Sequence, residues 1–296
     1  MLSRKLQKYP FKTYKEFQKL RHKLQGFGDP NVTRIGGSDI GVIMLKDQYR
    51  SRLELFHQLI RDTPPIHMDN LFTWKGRVLE KPSMTNWWSY LDPLNPDADI
   101  MVDNINKGRK VRKFKDINYT YINPEFPYFA INLDFQCSRY KTVPEGVVEV
   151  KNTSSMATDK WEAGVAPSYV YQTAVQIHTS GHKYGEIFQL KDATYPEIFP
   201  FTKEETAGLF NQVVEATEEF VSRVTFVKQE LAKGIQGEER SALIAEYEPI
   251  ADGGKPTEDF LKEKFKDTIE NLPMDGDTNT YDLGREYLQH GLTKKE

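Results

Sequence analysis

The stretch VVEVKNTS, residues 147–154, joins a valine-rich strand pattern to two charged side chains. Valines enclose Glu149, and Lys151 follows two positions later. β-Branched residues favour strands, and residues two apart on a strand point to the same face. Glu149 and Lys151 therefore share one face of a strand that its valines predict to be buried on at least one side. Either this is an edge strand carrying a solvated ion pair, or an acid and an amine are held together for chemistry.

The composition indicates a globular protein with a sizeable core. The chain has 296 residues, of which 38% are hydrophobic and 28% are charged, and this balance argues against wholesale disorder. No apolar run approaches the roughly 20 residues of a membrane span, and residues 1–20 lack the apolar centre of a signal peptide. We therefore expect a cytoplasmic protein without a membrane partner. The single cysteine, Cys137, excludes an internal disulfide and cysteine-based zinc or iron–sulfur sites.

The net charge of −3 is unevenly distributed along the chain. Residues 241–296 contain 13 acidic and 7 basic side chains, so the first 240 residues are mildly basic. Such a split separates a basic body from an acidic tail. We accordingly predict one domain over residues 1–240 and an acidic C-terminal appendage of unknown role over residues 241–296.

Hydrophobic periodicity predicts helices first, then strands, and then helix, strand and helix. Residues 107–154 are rich in Tyr, Ile, Val and Phe, alternate in polarity and contain turn signals, which predicts three or four antiparallel strands. A helix over residues 166–181 is expected to stop at Gly181, and a strand follows it. A capping box from Thr202 to Glu205 then opens a long amphipathic helix. This order predicts an α/β fold with a central mixed β-sheet flanked by helices.

Two carboxylates are predicted to meet on neighbouring strands. Asp134 lies in the strand AINLDF, and Glu149 follows fifteen residues later, beyond one turn. With the backbone carbonyl of Val150 they form a partial oxygen shell suited to Mg²⁺. Glu80, on the helix before the sheet, is a third carboxylate that can reach the same place. Lys151 can then orient a water molecule for attack.

The order of Glu80, Asp134 and the Glu149–Lys151 triplet resembles the PD-(D/E)XK nuclease superfamily. More narrowly, it resembles the phage lambda exonuclease and YqaJ type of viral recombination nuclease. Four stretches carry this narrower resemblance: IGGSDIGVIM, GRVLEKP, FPYFAINLDF and YVYQTAVQIHTSG. Each stretch alone is a weak signal. Together they run from about Ile35 to Gly181 in the order of the family, which is specific.

The resemblance implies a restriction-endonuclease-like nuclease core with a divalent metal. It implies that Asp134 and Glu149 bind Mg²⁺, for which Mn²⁺ can substitute, and that Glu80 binds it directly or through water. It also implies that Lys151 activates or positions the attacking water and that Gln172 assists at the site.

The resemblance further implies that Ser38, at a helix start, contacts a phosphate of a DNA end. Two departures from the family accompany this expectation. A basic residue of the lambda protein, seven positions before its serine, is replaced here by Asn31, and Arg34 is the candidate substitute. The glycine that usually follows the aspartate is replaced by Phe135, which is expected to narrow the approach of the DNA backbone.

A run of basic residues, KGRKVRKFK at positions 107–115, is a second candidate for nucleic-acid binding. If the run is a strand, Arg109, Lys113 and Lys115 share a face. They are then either a solvated hairpin tip or a sequence-independent contact to the DNA backbone.

Taken with the resemblance, the residues imply an exonuclease that degrades linear double-stranded DNA, 5′ to 3′, in phage-type recombination within the bacterial host cytoplasm. Members of the family form ring-shaped homo-oligomers, commonly trimers, and work with a single-strand annealing protein. The alternatives are an endonuclease or repair nuclease with the same metal core, or a catalytically inactive DNA-binding recombination scaffold. Retention of all the ionisable site residues argues against the inactive scaffold.

Overall fold

A computed structural model provides the structure of the protein. It describes residues 5–61, 71–92, 95, 97–138, 145–153, 164–192 and 194–264. Most of the predicted acidic appendage, residues 265–296, lies outside the described residues.

The described chain alternates between helical and extended segments. The helices are α1 Tyr14–Gln25, α2 Ile40–Ile43, α3 Arg52–Leu59, α4 Leu71–Asn86, α5 Ala98–Asn106, α6 Pro167–Ser180, α7 Lys203–Leu231, α8 Gly237–Tyr247 and α9 Lys255–Lys264. The strands are β1 Gln7–Pro10, β2 Ile35–Gly36, β3 Lys113–Asp116, β4 Tyr119–Asn123, β5 Phe126–Asn132, β6 Phe135–Ser138, β7 Gly146–Thr153, β8 Tyr184–Lys191 and β9 Tyr195–Thr202.

The strands form two sheets, in the orders β1-β4-β5-β2 and β3-β6-β7-β8-β9. Strand β3 pairs with β6, and β4 pairs with β5, both antiparallel. These four strands are one long hairpin whose two arms are interrupted at residues 117–118 and 133–134. The hairpin therefore bends from one sheet into the other. The predicted α/β class is confirmed, but residues 107–154 hold five strands rather than three or four because the bend divides each arm, and two sheets replace the single one expected.

Strand β7 lies in the interior of its sheet. It pairs antiparallel with β6 and parallel with β8, and helix α6 makes the crossover between the two parallel strands. Val147 packs in the main core, whereas Val148 and Val150 pack in a second core on the opposite face. A strand that packs against a core on each face has a nearly continuous apolar sequence, as this strand does. The edge-strand interpretation of Glu149 and Lys151 is therefore excluded.

Helix α6 sits unusually close to its neighbours because two glycines leave room for it. A Cβ atom on Gly185 of β8 would lie 2.7 Å from the Thr173 side chain, and one on Gly41 of α2 would lie 2.7 Å from Cβ of Ser168. Both distances are shorter than side-chain packing allows. Gly185 of β8 and Gly41 of α2 thus allow α6 to pack closely against both elements.

The described part of the C-terminal segment packs on the body. Helix α8 crosses position 240, where the sequence placed a boundary, and contacts α7. Helix α9 contacts α3, and Nε2 of His57 lies 2.7 Å from Oε2 of Glu248 and 3.0 Å from Nζ of Lys264. None of the described helices is long and apolar enough to cross a membrane.

Candidate active site

The bend in the hairpin places Asp134 beside strand β7. The residue lies in the two-residue break between β5 and β6 rather than within the predicted strand. Its Oδ2 accepts a hydrogen bond of 2.9 Å from the backbone N–H of Val150. In a strand the N–H and C=O of one residue point toward the same neighbour. The Val150 carbonyl is therefore on the same edge of β7 as the Asp134 carboxylate, as the sequence-based metal site requires.

Glu149 is buried beneath helix α6 and is held by three donors. Gln172 donates to its Oε1 at 2.7 Å, Gln176 donates to its Oε2 at 2.6 Å, and the Lys151 ammonium forms an ion pair with Oε1. The ammonium also lies 4.6 Å from the centre of the Tyr169 ring. The acid and the amine thus lie on one face of β7, in an arrangement that fixes the orientation of both.

Glu80 on α4 adds a third carboxylate to this end of the sheet. It makes no hydrogen bond or ion pair with any described residue, and it lines the same cleft as Asp134. Burial, reinforced by Asp134 and Glu149, raises the pKa of Glu80 to about 9. Burial and the neighbouring Glu149 raise the pKa of Asp134 to about 7. Burial alone would lower the pKa of Lys151, but Glu149 and Asp134 outweigh it and raise that pKa. Three carboxylates therefore share one ammonium, and the site favours an added cation.

The residues of this site fit a magnesium ion. Within the described ranges, no three His, Cys, Asp or Glu side chains converge closely enough to hold a metal on their own. The available set is two carboxylates, Asp134 and Glu149, with the Val150 carbonyl between them and Glu80 nearby. Mg²⁺ takes hard oxygen ligands, usually one or two carboxylates, and keeps several waters. A set of this kind suits Mg²⁺ and offers nothing to a thiophilic metal.

Basic side chains line part of the cleft that contains Glu80 and Asp134, and one of them, Lys81, is paired with Asp116. The cleft has a volume of about 600 Å³, and its walls include Lys12, Arg21, Arg77 and Lys81. The Arg77 guanidinium stacks on the Tyr14 ring at 3.9 Å. Anionic ligands that approach the carboxylates thus pass between positive side chains.

A second cavity, of about 470 Å³, continues from this cleft. The two share four lining residues, Tyr14, Phe17, Arg21 and Ser38. Buried Asp39 pairs with Arg50 at 2.8 Å and with Arg21 at 3.4 Å, and Arg21 also donates to Oγ of Ser38 at 3.0 Å. Burial would raise the pKa of Asp39, but the two guanidiniums outweigh it and lower that pKa. The two guanidiniums that share this carboxylate place positive charge beside Ser38.

The structure does not bring Arg34 to this cavity. Its guanidinium donates to the carbonyls of Pro127 at 2.8 Å and Leu24 at 3.0 Å, and it is absent from the cleft walls. It joins α1 to β5 instead. Arg21 and Arg50 occupy the place beside Ser38 that sequence reasoning gave to Arg34.

The basic run is divided between two settings. Strand β3 begins at Lys113, so Arg109 precedes it and does not share its face. The Arg109 guanidinium instead makes two hydrogen bonds to Oδ1 of Asn104, at 3.0 and 2.8 Å. Lys113 and Lys115 are exposed on the edge strand, next to the cleft wall.

Phe135 turns most of its ring away from the cleft. Its side chain belongs to the second core and meets the Phe114 ring edge-on, with 5.3 Å between centroids. Only 4% of the residue is exposed. The expected narrowing of the DNA approach by this ring is therefore small.

Sequence reasoning missed Tyr169 and Gln176 although a signal was present. With Gln172 they occupy positions i, i+3 and i+7 of one helix, which places all three on one face. Arg21 and Arg50 carried no such signal, because only the fold brings them together around Asp39.

The fold and the site define an α/β protein with an acidic site in a basic cleft. The model of the YqaJ-like viral recombinase domain matches residues 16–183, more than half of the chain. The chain therefore belongs to the YqaJ-like viral recombinase domain family.

Individual relatives are distant. The chain is 22% identical to the uncharacterised protein YqaJ of Bacillus subtilis (strain 168) over 263 residues, which cover 88% of this chain and 68% of that protein. It is similar to an alkaline exonuclease (LHK-Exo) from Laribacter hongkongensis, with 16% identity, a TM-score of 0.46 and coverage of 68% of this chain and 95% of that one. It is also similar to LHK-Exo in complex with dAMP, with 16% identity, a TM-score of 0.48 and coverage of 72% of this chain and 97% of that one. At these TM-scores, family membership rests on the sequence match.

Proposed function

We propose that this protein is a metal-dependent deoxyribonuclease that degrades linear double-stranded DNA as an exonuclease. The observation that carries the proposal is the placement of Asp134 beside Glu149 and Lys151 of β7, next to a cleft lined in part by basic side chains. Acidic side chains suit a divalent metal, and the basic walls suit a phosphate backbone.

Asp134, Glu149 and the Val150 carbonyl would hold Mg²⁺, or Mn²⁺ in its place, with Glu80 bound directly or through water. When bound, the ion supplies positive charge that polarises the phosphate and acidifies a water molecule. Lys151 is oriented by Glu149 and Tyr169, so its ammonium can donate a hydrogen bond to the attacking water. Gln172, which donates to the same carboxylate oxygen, keeps Glu149 from rotating away.

The reaction is an in-line displacement at phosphorus. The oxygen of water forms a bond to phosphorus as the bond from phosphorus to the 3′ oxygen breaks, and the departing 3′ oxygen takes up a proton. The products are a 5′-phosphorylated nucleotide and a shortened strand. Positioning and charge stabilisation are the main contributions of the protein to such a reaction.

The positive charge beside Ser38 gives the cleft a place for the terminal phosphate. Arg21 and Arg50 are fixed by Asp39, and fixed guanidiniums are strong phosphate partners. A phosphate anchored there, with the carboxylates further along the same cleft, suits cleavage from the 5′ end. Lys113 and Lys115, on the strand that leads out of the cleft, would contact the backbone without regard to sequence.

Membership in the family supports a role in phage-type recombination. Degradation of one strand leaves a single-stranded partner, which a single-strand annealing protein would take up. A ring of identical subunits, commonly three in related nucleases, would keep the enzyme on its DNA.

The test is incubation with blunt linear duplex and with closed circular duplex, each with Mg²⁺ or EDTA. We expect Mg²⁺-dependent loss of the linear DNA only. Cutting of the circle would indicate an endonuclease, and no metal-dependent cleavage of either DNA would refute the enzyme. Lys183→Ala, which removes an exposed lysine paired with Glu145, is a control expected to cleave like the unaltered protein.

A further inference from the structure

Helix α6 presents three side chains to the Glu149–Lys151 pair. Tyr169 lies against the ammonium of Lys151, and Gln172 and Gln176 donate to separate oxygens of Glu149. Because the three are spaced i, i+3 and i+7, they form one stripe on the helix. The sequence resemblance accounts for Gln172 alone.

Gln176 connects β7, which carries Glu149, to the end of β5, which leads into Asp134. Its Nε2 lies 2.6 Å from Oε2 of Glu149 and 3.3 Å from the carbonyl oxygen of Asn132. Asn132 ends β5, two residues before Asp134. One amide thus ties the Glu149 carboxylate to the backbone that leads into Asp134. It is also neutral, so it orients the carboxylate without cancelling the charge that would attract a cation.

Packing alone does not account for an amide at position 176. The residue is 1% exposed, and its Oε1 has no hydrogen-bond partner among the described residues. A buried acceptor without a partner destabilises a fold. Methionine has nearly the same shape and carries no such acceptor. The favourable feature of glutamine here is the hydrogen bond from its nitrogen to Glu149.

Tyr169 confines the Lys151 ammonium from the other side. The Nζ atom lies 4.6 Å from the ring centre, within the range of a cation–π contact. With Glu149 on one side and the ring on another, the ammonium has few rotamers available. Contacts with both Glu149 and the ring therefore hold the ammonium beside the carboxylates.

We propose that Gln176 and Tyr169 are positioning residues of the nuclease site. Gln176 sets the orientation of Glu149 relative to Asp134, and Tyr169 sets the position of the Lys151 ammonium. This inference rests on the proposed function for its kinetic consequences, whereas its consequence for cation binding is independent of DNA cleavage.

Gln176→Met tests the first part, because it keeps the shape and removes the donor. We expect kcat on linear duplex to fall about 10- to 100-fold, the range found for residues that orient metal ligands. The KM for DNA should stay unchanged, and Mg²⁺ binding measured by calorimetry should weaken by a similar factor. If Gln176→Met does not fold, Gln176→Asn, whose amide is one methylene shorter, gives the same readouts.

Thr173→Val is the matched control. Thr173 lies on the same helix, is fully buried, and has a hydroxyl without a partner among the described residues. Its substitution should leave kcat and Mg²⁺ affinity unchanged. A purely structural role for Gln176 would lower the folded fraction without changing kcat per folded molecule or Mg²⁺ affinity, and that result would overturn the inference.

Tyr169 is tested by two substitutions. Tyr169→Phe retains the ring and should keep kcat within about twofold, whereas Tyr169→Leu removes it and should lower kcat about tenfold. Equal activities of the two variants would contradict the role of the ring. If the unaltered protein cleaves no DNA, the proposed function fails, and the calorimetric comparison of Gln176→Met with Thr173→Val still decides the role of Gln176.

Discussion

Two buried carboxylates on the neighbouring strands β7 and β8 have opposite surroundings. Glu186 points into the second core, where both its oxygens lie 2.5 to 2.6 Å from Nη2 of Arg112 and one accepts from Trp88 at 3.2 Å. Glu149 points toward α6 and lies near Asp134 and Glu80. Glu186 has a fully buried cation of its own, whereas Glu149 shares one ammonium with two further carboxylates. Burial of a charge therefore does not distinguish the candidate active site from the core, whereas an excess of like charge beside a cleft does.

The largest effect on activity should come from Lys151→Ala. In the proposed mechanism the ammonium orients the attacking water, so its loss should reduce cleavage of linear duplex by about 10²- to 10⁴-fold. DNA binding, measured by mobility shift in EDTA, should remain because the basic walls are intact. Cleavage at the normal rate would show that the site has been assigned to the wrong residues.

The largest effect on stability should come from the ion pair between Arg112 and Glu186. Arg112→Met leaves Glu186 buried without its cation, which should lower the free energy of unfolding by about 3 to 5 kcal/mol. Adding Glu186→Leu should recover most of this loss, because an apolar pair needs no charge compensation. Chemical denaturation of the single and double variants measures both. A stable Arg112→Met single variant would mean that Glu186 does not depend on its ion pair.

Mg²⁺ should stabilise the protein by binding at the site that contains Glu149. A ligand at about 100 times its Kd contributes about 2.7 kcal/mol, which corresponds to a rise in Tm of several degrees for a domain of this size. Asp134→Asn should abolish the rise, whereas Glu186→Gln should retain it. Thermal melts with and without Mg²⁺ provide the measurement, and an equal rise in all three proteins would place the ion elsewhere.

A smaller effect is expected beside Ser38, where the terminal phosphate is proposed to bind. Arg21→Ala should weaken the preference for a 5′-phosphorylated over a 5′-hydroxyl duplex about tenfold, since one charge-assisted contact to phosphate is lost. Arg34→Ala is the control, because that guanidinium bonds backbone carbonyls away from the cleft. Competition between the two duplexes in one reaction measures the preference, and an unchanged ratio in Arg21→Ala would remove Arg21 from phosphate recognition.

The smallest effect should come from the edge strand. The double variant Lys113→Ala/Lys115→Ala should weaken binding modestly and lower the salt dependence of binding by roughly two counterions. A titration of DNA affinity against salt concentration detects this change. If the slope of log affinity against log salt is that of the unaltered protein, the two lysines are solvated and do not contact DNA.

Local rules predicted the parts of the fold that depend on neighbours in sequence. The capping box at Thr202 and Glu205 does begin α7, and Gly181 ends α6 with a positive φ of 77°. The valines of β7 correctly indicated a buried strand. These features are set by hydrogen bonds and side-chain shape within a few residues.

The bend at Asp134 and the Asp39 network were beyond sequence reasoning. Nothing in AINLDF distinguishes one long strand from two strands that meet at a corner, because the corner is imposed by packing of both sheets. Likewise, Arg21 and Arg50 meet Asp39 only through the placement of α1 and the loop before α3. Arg34 was the nearer arginine in sequence, but backbone carbonyls hold it elsewhere.

The most direct test makes the same substitution on both strands. Glu149→Gln and Glu186→Gln are compared for Mg²⁺-dependent cleavage of linear duplex, with rates expressed per folded molecule. We predict that Glu149→Gln loses at least about a hundredfold in rate, whereas Glu186→Gln stays within about twofold of the unaltered protein. Equal losses in both variants, or cleavage by Glu149→Gln at the normal rate, would contradict the assignment of the active site to β7.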